Sequence, residues 1–256
     1  NLTVMEMKGK ILNSLGFSDQ AAAMFGQVAE GGRLSAELCL QLGDAIRTME
    51  MSRYGRYTPP GRDPDPQDLR WRVSHQYGSI WDFPQPDPDL IRRLTRSMDW
   101  YDQARSQGAE DAIIQNRRGI VLTILRNYEE AIPLFARACA EREHDAAPLT
   151  NHAVALVLSG EVDHGASVFL GGMSRFSKNP NFLDQCAGMY LLVRNDPKTA
   201  LDLIGQALVV NTGRDPAILY HRMVILRALG RDQEAEETAA RVRGIDPFFD
   251  LSVPRT

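Results

Sequence analysis

What this 256-residue chain lacks already narrows its function. Only three cysteines occur, Cys39, Cys139 and Cys186, and no Cys-x-x-Cys pair is present. An odd and scattered set predicts neither a disulfide framework nor a zinc site, so we interpret all three as reduced small hydrophobes. The five histidines show no metal-ligand spacing, and the paired glycines do not follow a strand. The sequence therefore predicts no catalytic, metal or cofactor site.

An excess of positive charge and long hydrophobic runs are also missing. Lysine and arginine number 29 against 33 acidic residues, a net charge of −4. This balance disfavours a nucleic-acid partner, because such domains neutralise phosphates with basic side chains. No apolar run approaches the roughly 20 residues that span a bilayer. The chain begins with Asn1, so we expect trimming or processing, and a membrane anchor would have to lie upstream. The compartment is left open between the cytoplasm and a bacterial periplasm or cell envelope.

What the chain does have is small residues at a nearly fixed period, the length of one helical hairpin. One series consists of Ala131, Gly165, Ala200 and Ala235. A second series has the same period, lies a constant step ahead of the first, and consists of Gly119, Ala153, Gly188 and Met223. Small residues let two helices approach closely where they cross. A double period of this kind is therefore typical of stacked helical hairpins.

This pattern resembles the tetratricopeptide repeat (TPR) family, which pairs small residues in two helices with an aromatic residue in the second. Gly119, Ala131, Phe135 and Ala138 match that motif in the segment near 112–145. Later segments near 146–180, 181–215 and 216–249 repeat it in divergent form. The resemblance implies an all-α fold, a right-handed superhelical solenoid of TPR-like helical hairpins.

The same register continues upstream with one interruption. Gly9 and Ala21 keep the step between the two series, whereas Gly43 and its counterpart Ser97 lie much farther apart than that step. We therefore expect repeat 1 at 1–35, repeat 2 at 36–111 with an insert at about 53–90, repeats 3 to 6 at 112–249, and a tail at 250–256. The array has about six repeats.

The insert differs from the rest of the chain in composition, since it holds half of the 14 prolines. It also holds aromatic residues that a disordered linker would lack. We expect it to bind a partner through Tyr57, Trp71, Tyr77, Trp81 and Phe83. The alternative is an ordered excursion that packs its tryptophans against a repeat junction.

The resemblance also implies that the first helix of each hairpin lines a concave groove. In this chain it assigns to the groove Ile113, Asn116, Ile120, Asn151, Val154, Phe182, Gln185, Met189, Leu192, Tyr220 and Val224. Most are apolar, so we expect an apolar or amphipathic peptide or helix as the ligand. The alternative for any one of them is packing between repeats.

The leading hypothesis is a non-enzymatic scaffold or adaptor that binds protein partners within a multiprotein assembly. A second hypothesis is an exported, pilotin-like accessory or chaperone protein for secretion or pilus assembly. An RNA-binding helical repeat protein is disfavoured by the net charge. An accessory domain of an enzyme is a further alternative.

Overall fold

A computed structural model describes residues 1–15, 17–54 and 86–247, with side chains except at 51–54, and all regular structure there is α-helical. The twelve helices of these ranges are α1 (Leu2–Ser14), α2 (Ser18–Glu30), α3 (Ala36–Tyr54), α4 (Pro88–Ser106), α5 (Asp111–Ile124), α6 (Tyr128–Glu141), α7 (Ala146–Ser159), α8 (Val162–Phe176), α9 (Pro180–Leu192), α10 (Pro197–Val210), α11 (Pro216–Ala228) and α12 (Asp232–Ile245). The predicted all-α, helical-repeat fold class is confirmed. The five aromatic residues expected to bind through the insert, and the predicted tail, lie outside the described residues.

The described residues form two compact units. Unit 1 contains α1 to α6, in which α1 packs along α2, α3 along α4 and α5 along α6. There α2 also packs against α3, and α4 against α5. Unit 2 contains α7 to α12, paired in the same sequential way, with α10 also against α11. We call the odd-numbered helices first helices and the even-numbered ones second helices. The assignment of α3 and α4 to one interrupted repeat stays our proposal.

Several helices begin at an Asp or Asn followed by proline. Asp87, Asn179 and Asp196 each accept a hydrogen bond from the backbone N–H three residues later, at 2.6, 3.0 and 3.1 Å. Proline suits the next position, because its fixed φ is helical and its missing N–H has no helical partner there. The capping side chain and the proline together determine where α4, α9 and α10 begin. The hydroxyl and amide of Thr199 hold the pKa of the Asp196 carboxyl below its usual value.

An aromatic ring lies directly on a glycine in each helix pair of unit 1. A Cβ placed on Gly9 would lie 2.6 Å from the ring of Phe25, and one on Gly119 would lie 2.6 Å from the ring of Phe135. A Cβ on Gly43 would overlap the ring of Tyr101 in the same way. All three rings are fully buried. The recurring glycine therefore leaves the space that the ring of the facing helix occupies.

In the α7–α8 pair of unit 2 the two backbones approach each other closely at the same crossing. A Cβ on Gly165 of α8 would lie 2.7 Å from the carbonyl oxygen of Ala153 on α7. Glycine on α8 and alanine on α7 therefore let the two backbones come together. The small-residue columns thus serve one purpose, close helix crossing, by two different packings.

Substituting the glycine under the ring tests this packing. Gly119→Ala should destabilise unit 1 by about 1–2 kcal/mol, because the new methyl group overlaps the buried Phe135 ring. The matched control is Gly26→Ala in α2, where a Cβ meets nothing within 4 Å. That change should stabilise by about 0.5–1 kcal/mol through lower unfolded-state entropy. Urea unfolding followed by circular dichroism measures both, and equal midpoints for the two variants would contradict the packing.

Candidate functional site on the first helices

Six of the side chains expected in the groove keep solvent-accessible surface. In unit 1 these are Ile113, Asn116 and Ile120, all half-buried on α5. Their spacing of three and four residues puts them on one side of the helix. The three in unit 2 are Asn151 on α7 and Gln185 and Leu192 on α9, also half-buried. Each unit therefore offers aliphatic and amide side chains on its first helices.

The other five residues expected in the groove are buried in the structure, as in the alternative of packing between repeats, and their place in a binding groove stays a prediction. Val154, Phe182, Met189, Tyr220 and Val224 have side chains at most 7 % exposed. They belong to the core of unit 2, because α9 contacts α7, α8, α10 and α11 and leaves little of its surface uncovered. Helical periodicity identifies the side of a helix but not how far neighbouring helices cover it.

Phe182 illustrates this difference. Its ring centroid lies 6.1 Å from that of Phe169 and 5.4 Å from that of Phe176, both on α8. A Cβ on Gly172 would lie 2.8 Å from the same ring. Phe182 therefore joins the first turn of α9 to α8, and it contributes to the contact between successive helix pairs rather than to an accessible surface.

A carboxylate ties together three helices of unit 1. Asp44 on α3 accepts a hydrogen bond from the Tyr101 hydroxyl at 2.9 Å and one from Arg117 Nε on α5 at 2.8 Å. Arg47 lies 3.4 Å from the same carboxylate. Burial raises the pKa of Tyr101 far above its usual value, so the phenol stays a neutral donor. The two arginines compensate the carboxylate charge, and the network fixes α5 relative to α3 and α4.

A second polar pair links two first helices of unit 2. His221 Nδ1 on α11 lies 2.7 Å from Asp184 Oδ1 on α9, and both side chains are buried. Sequence reasoning did not find this pair or the Asp44 network. The available signal was polar residues inside apolar first helices, with Asp184 and His221 separated by close to one repeat length.

The described residues offer few side chains suited to a metal site or to nucleophilic chemistry. No group of three His, Cys, Asp or Glu side chains there could hold a metal ion. The three cysteines are free, and burial raises the pKa of Cys39 and Cys186, which keeps these thiols protonated. Burial and the nearby His164 lower the pKa of His152, so that imidazole is neutral near pH 7. None of the helices in the described ranges is long and apolar enough for a membrane span.

An open groove of about 620 Å³ lies between α4, α5 and α6 of unit 1. Its arginines are largely paired, because Asp102 lies 2.6 Å from Arg118 and Asp111 lies 2.9 Å from Arg105. The groove therefore offers little uncompensated charge to a ligand. The accessible first-helix side chains remain the better candidate site.

Comparison with known families identifies the repeats. The family model described as "Tetratricopeptide repeat" matches residues 93–148 and 187–248. The chain contains tetratricopeptide repeats. One match spans most of α4, all of α5 and α6, and the other runs from within α9 to the end of α12. A search of curated protein sequences finds no match.

Solved TPR structures share the fold at low sequence identity. The chain is similar to PilW, a widely conserved type IV pilus biogenesis factor, with a TM-score of 0.58, 13 % identity and coverage of 98 % of this chain and 96 % of PilW. It is also similar to PilF of Pseudomonas aeruginosa, with a TM-score of 0.52, 13 % identity and coverage of 97 % and 93 %. Yeast Tom70 gives 0.53, 13 % identity and coverage of 96 % and 78 %. The matched repeats and the shared fold support a role as a protein-interaction scaffold.

The Asp184–His221 pair gives a prediction for the stability of the TPR helices in unit 2. His221→Ala should destabilise the protein by about 1–3 kcal/mol, because it leaves the buried Asp184 carboxylate without the imidazole. The control is His144→Ala, at an exposed position of the same unit, which should change stability by less than about 0.5 kcal/mol. Urea unfolding by circular dichroism measures both. Equal stability of the two variants would mean that the pair contributes nothing.

Proposed function

We propose that this TPR protein is a non-enzymatic adaptor that binds an amphipathic partner segment on the accessible parts of its first helices. The observation that carries the proposal is the row on α5, where Asn116 lies between Ile113 and Ile120 at helical spacing. Aliphatic side chains at such a spacing suit the apolar row of a helix or the alternate side chains of an extended peptide.

The amide side chains supply the polar part of the recognition. Asn116, Asn151 and Gln185 each carry a donor and an acceptor, so they can hydrogen-bond to the backbone of a bound segment. The arginines around Asp44 are paired with it and offer little net charge. The ligand is therefore amphipathic rather than wholly apolar, because the most apolar of the expected groove residues are buried. The non-enzymatic part of the proposal rests on the family, whose fold is typically an interaction scaffold.

A second candidate function is an accessory role in pilus assembly or secretion. The similarity to PilW supports it, since it extends over nearly the whole of both chains. The similarity to Pseudomonas aeruginosa PilF is of nearly equal extent. At 13 % sequence identity both similarities show the fold alone. Which partner proteins the chain binds therefore distinguishes this accessory role from that of another adaptor.

Quantitative affinity capture from the native source tests the proposed adaptor function. Ile113→Glu combined with Ile120→Glu should lower the recovery of specifically bound proteins about tenfold, because two carboxylates then meet the apolar part of the ligand. The matched control places glutamate at Ile91 and Val209, exposed aliphatic residues on second helices. Both proteins should keep the wild-type helical spectrum and melting temperature within a few degrees.

Unchanged recovery by the folded Ile113→Glu, Ile120→Glu protein would refute binding at α5. Equal loss by the control would refute a role specific to the first helices. Recovery of pilus or secretion components that depends on Ile113 and Ile120 would favour the second candidate function over an unrelated assembly.

A further inference from the structure

Two histidines meet where α7 crosses α8 in unit 2. The ring centroids of His152 on α7 and His164 on α8 lie 6.4 Å apart, with a 72° angle between the ring planes, so the contact is edge-on. Each histidine directly precedes a residue of the close backbone approach described above, Ala153 on α7 and Gly165 on α8. The imidazole pair therefore lies beside the crossing of the two helices.

The two rings differ in how far the protein covers them. His152 is half-buried, whereas the side chain of His164 is 58 % exposed. Burial, and after it the nearby His164, lower the pKa of His152, whereas the Glu161 carboxylate acts in the opposite direction. A proton on His152 loses part of its hydration and lies opposite a second imidazole. The folded chain therefore favours the neutral form of this ring.

The acidic side chains near α8 compensate a proton on His152 only in part. Glu161 Oε2 lies 3.2 Å from His164 Nδ1, so this carboxylate is engaged with the exposed ring. Its side chain is 54 % exposed, so water and salt screen its charge. Asp163, the other acidic residue of α8, is 90 % exposed and paired with an arginine. Arg175 lies in the last turn of α8 and is itself a cation.

The other helix of unit 2 that packs on α7 is α9, and it offers no free negative charge. Its acidic residue, Asp184, lies 2.7 Å from His221 in the buried pair described above. Its Cys186 and Tyr190 are a thiol and a phenol, groups that ordinarily stay uncharged below pH 7. In α7 itself His152 is the one titratable side chain. Among the described residues, the ionisable groups that act on His152 are therefore its two neighbours at the start of α8.

The direction of the pH dependence follows from the difference between the folded and the unfolded chain. In the unfolded chain His152 has the ordinary histidine pKa of about 6.5, whereas folding lowers this pKa. The unfolded chain therefore takes up the proton more readily. The stabilising contribution of the neutral ring is fully present above about pH 6.5 and decreases as the pH falls through that value. The loss is complete once the pH lies below the pKa of the folded state.

We propose that the His152–His164 contact is an acid-sensitive switch that holds α7 against α8 while the rings are neutral and loosens their crossing when His152 is protonated. The exposed His164 ring can turn toward water without moving a helix. The half-buried His152 ring gains hydration only if the crossing opens, because Ala153 and Gly165 leave no free space between the backbones.

The switch also acts on the proposed binding surface. α7 carries Asn151 directly before His152, so a looser crossing moves one of the amides offered to a bound segment. This coupling rests on the proposed adaptor function. The switch itself is tested without a partner protein, so the two proposals can fail separately.

Urea unfolding of the full chain at pH 7.5 and pH 5.5 tests the switch. Between these pH values the urea midpoint of wild type should fall at least about 0.4 M further than that of His152→Gln, because glutamine is polar but takes up no proton. The matched control is His144→Gln, at an exposed histidine of the same unit, and its midpoint should fall as far as that of wild type. Circular dichroism at both pH values shows that each variant is folded before urea is added.

NMR titration of the histidine rings provides a second measurement that does not depend on unfolding. In the native protein the pKa of His152 should lie below the ordinary value. His164→Gln should raise this pKa because it removes a like charge, and Glu161→Gln should lower it because it removes an opposite charge.

Three results would overturn the proposal. The first is an equal fall of the urea midpoint in wild type and in folded His152→Gln. The second is a fall in His144→Gln that is reduced as much as in His152→Gln, since any histidine of the unit would then suffice. The third is a titration of His152 that His164→Gln leaves unchanged, since the contact between the two rings would then have no effect on the proton.

Discussion

In each helix pair of unit 1 a buried aromatic ring rests on a glycine of the facing helix, and the other packing depends on that contact. Phe25 on Gly9, Tyr101 on Gly43 and Phe135 on Gly119 set how closely the two helices cross. The rings are too large to fit beside any side chain at these positions, so the crossing cannot be changed without losing core volume. Once this crossing is set, it also determines which of the remaining sides of each first helix face a neighbouring helix.

That constraint divides the surface of the first helices. One side packs on the partner helix, a second meets the helix of the preceding pair, and a strip between them stays accessible. On α5 this strip carries Ile113, Asn116 and Ile120. On α1 the second side is uncovered by the described residues, which exposes a stripe of apolar side chains from Val4 to Leu15. The accessible strip on α5 and the exposed stripe on α1 therefore follow from the same packing rule.

The sequence predicted the fold class well because the packing constraint acts on single positions that recur. A small residue followed at one fixed distance by a ring marks the crossing in Gly9 and Phe25 and again in Gly119 and Phe135. The same register pairs Gly43 with Ser97 across the insert, and Tyr101 follows Ser97 by the same four residues by which Phe25 follows Ala21. Gly43 and Tyr101 are in contact in the structure. The TPR identification rests on these columns.

The candidate site was predicted less well. Phe182 and Met189 lie on the expected side of α9, but the neighbouring helices cover them, and that coverage depends on tilt and spacing between pairs. The Asp44–Arg117 and Asp184–His221 contacts join different helix pairs, so no local sequence pattern predicts them. The chemistry of the partner is harder still to predict from sequence, since it depends on which few side chains remain exposed once all the helices have packed.

A double-mutant cycle at Gly119 and Phe135 tests the central contact most directly. Gly119→Ala, Phe135→Leu and the combined variant are compared with wild type by urea unfolding. If the ring occupies the space above the glycine, the smaller leucine relieves the added methyl group. The combined variant is then more stable than the sum of the single effects predicts, by about 1 kcal/mol or more. Additive effects within about 0.4 kcal/mol would contradict the account.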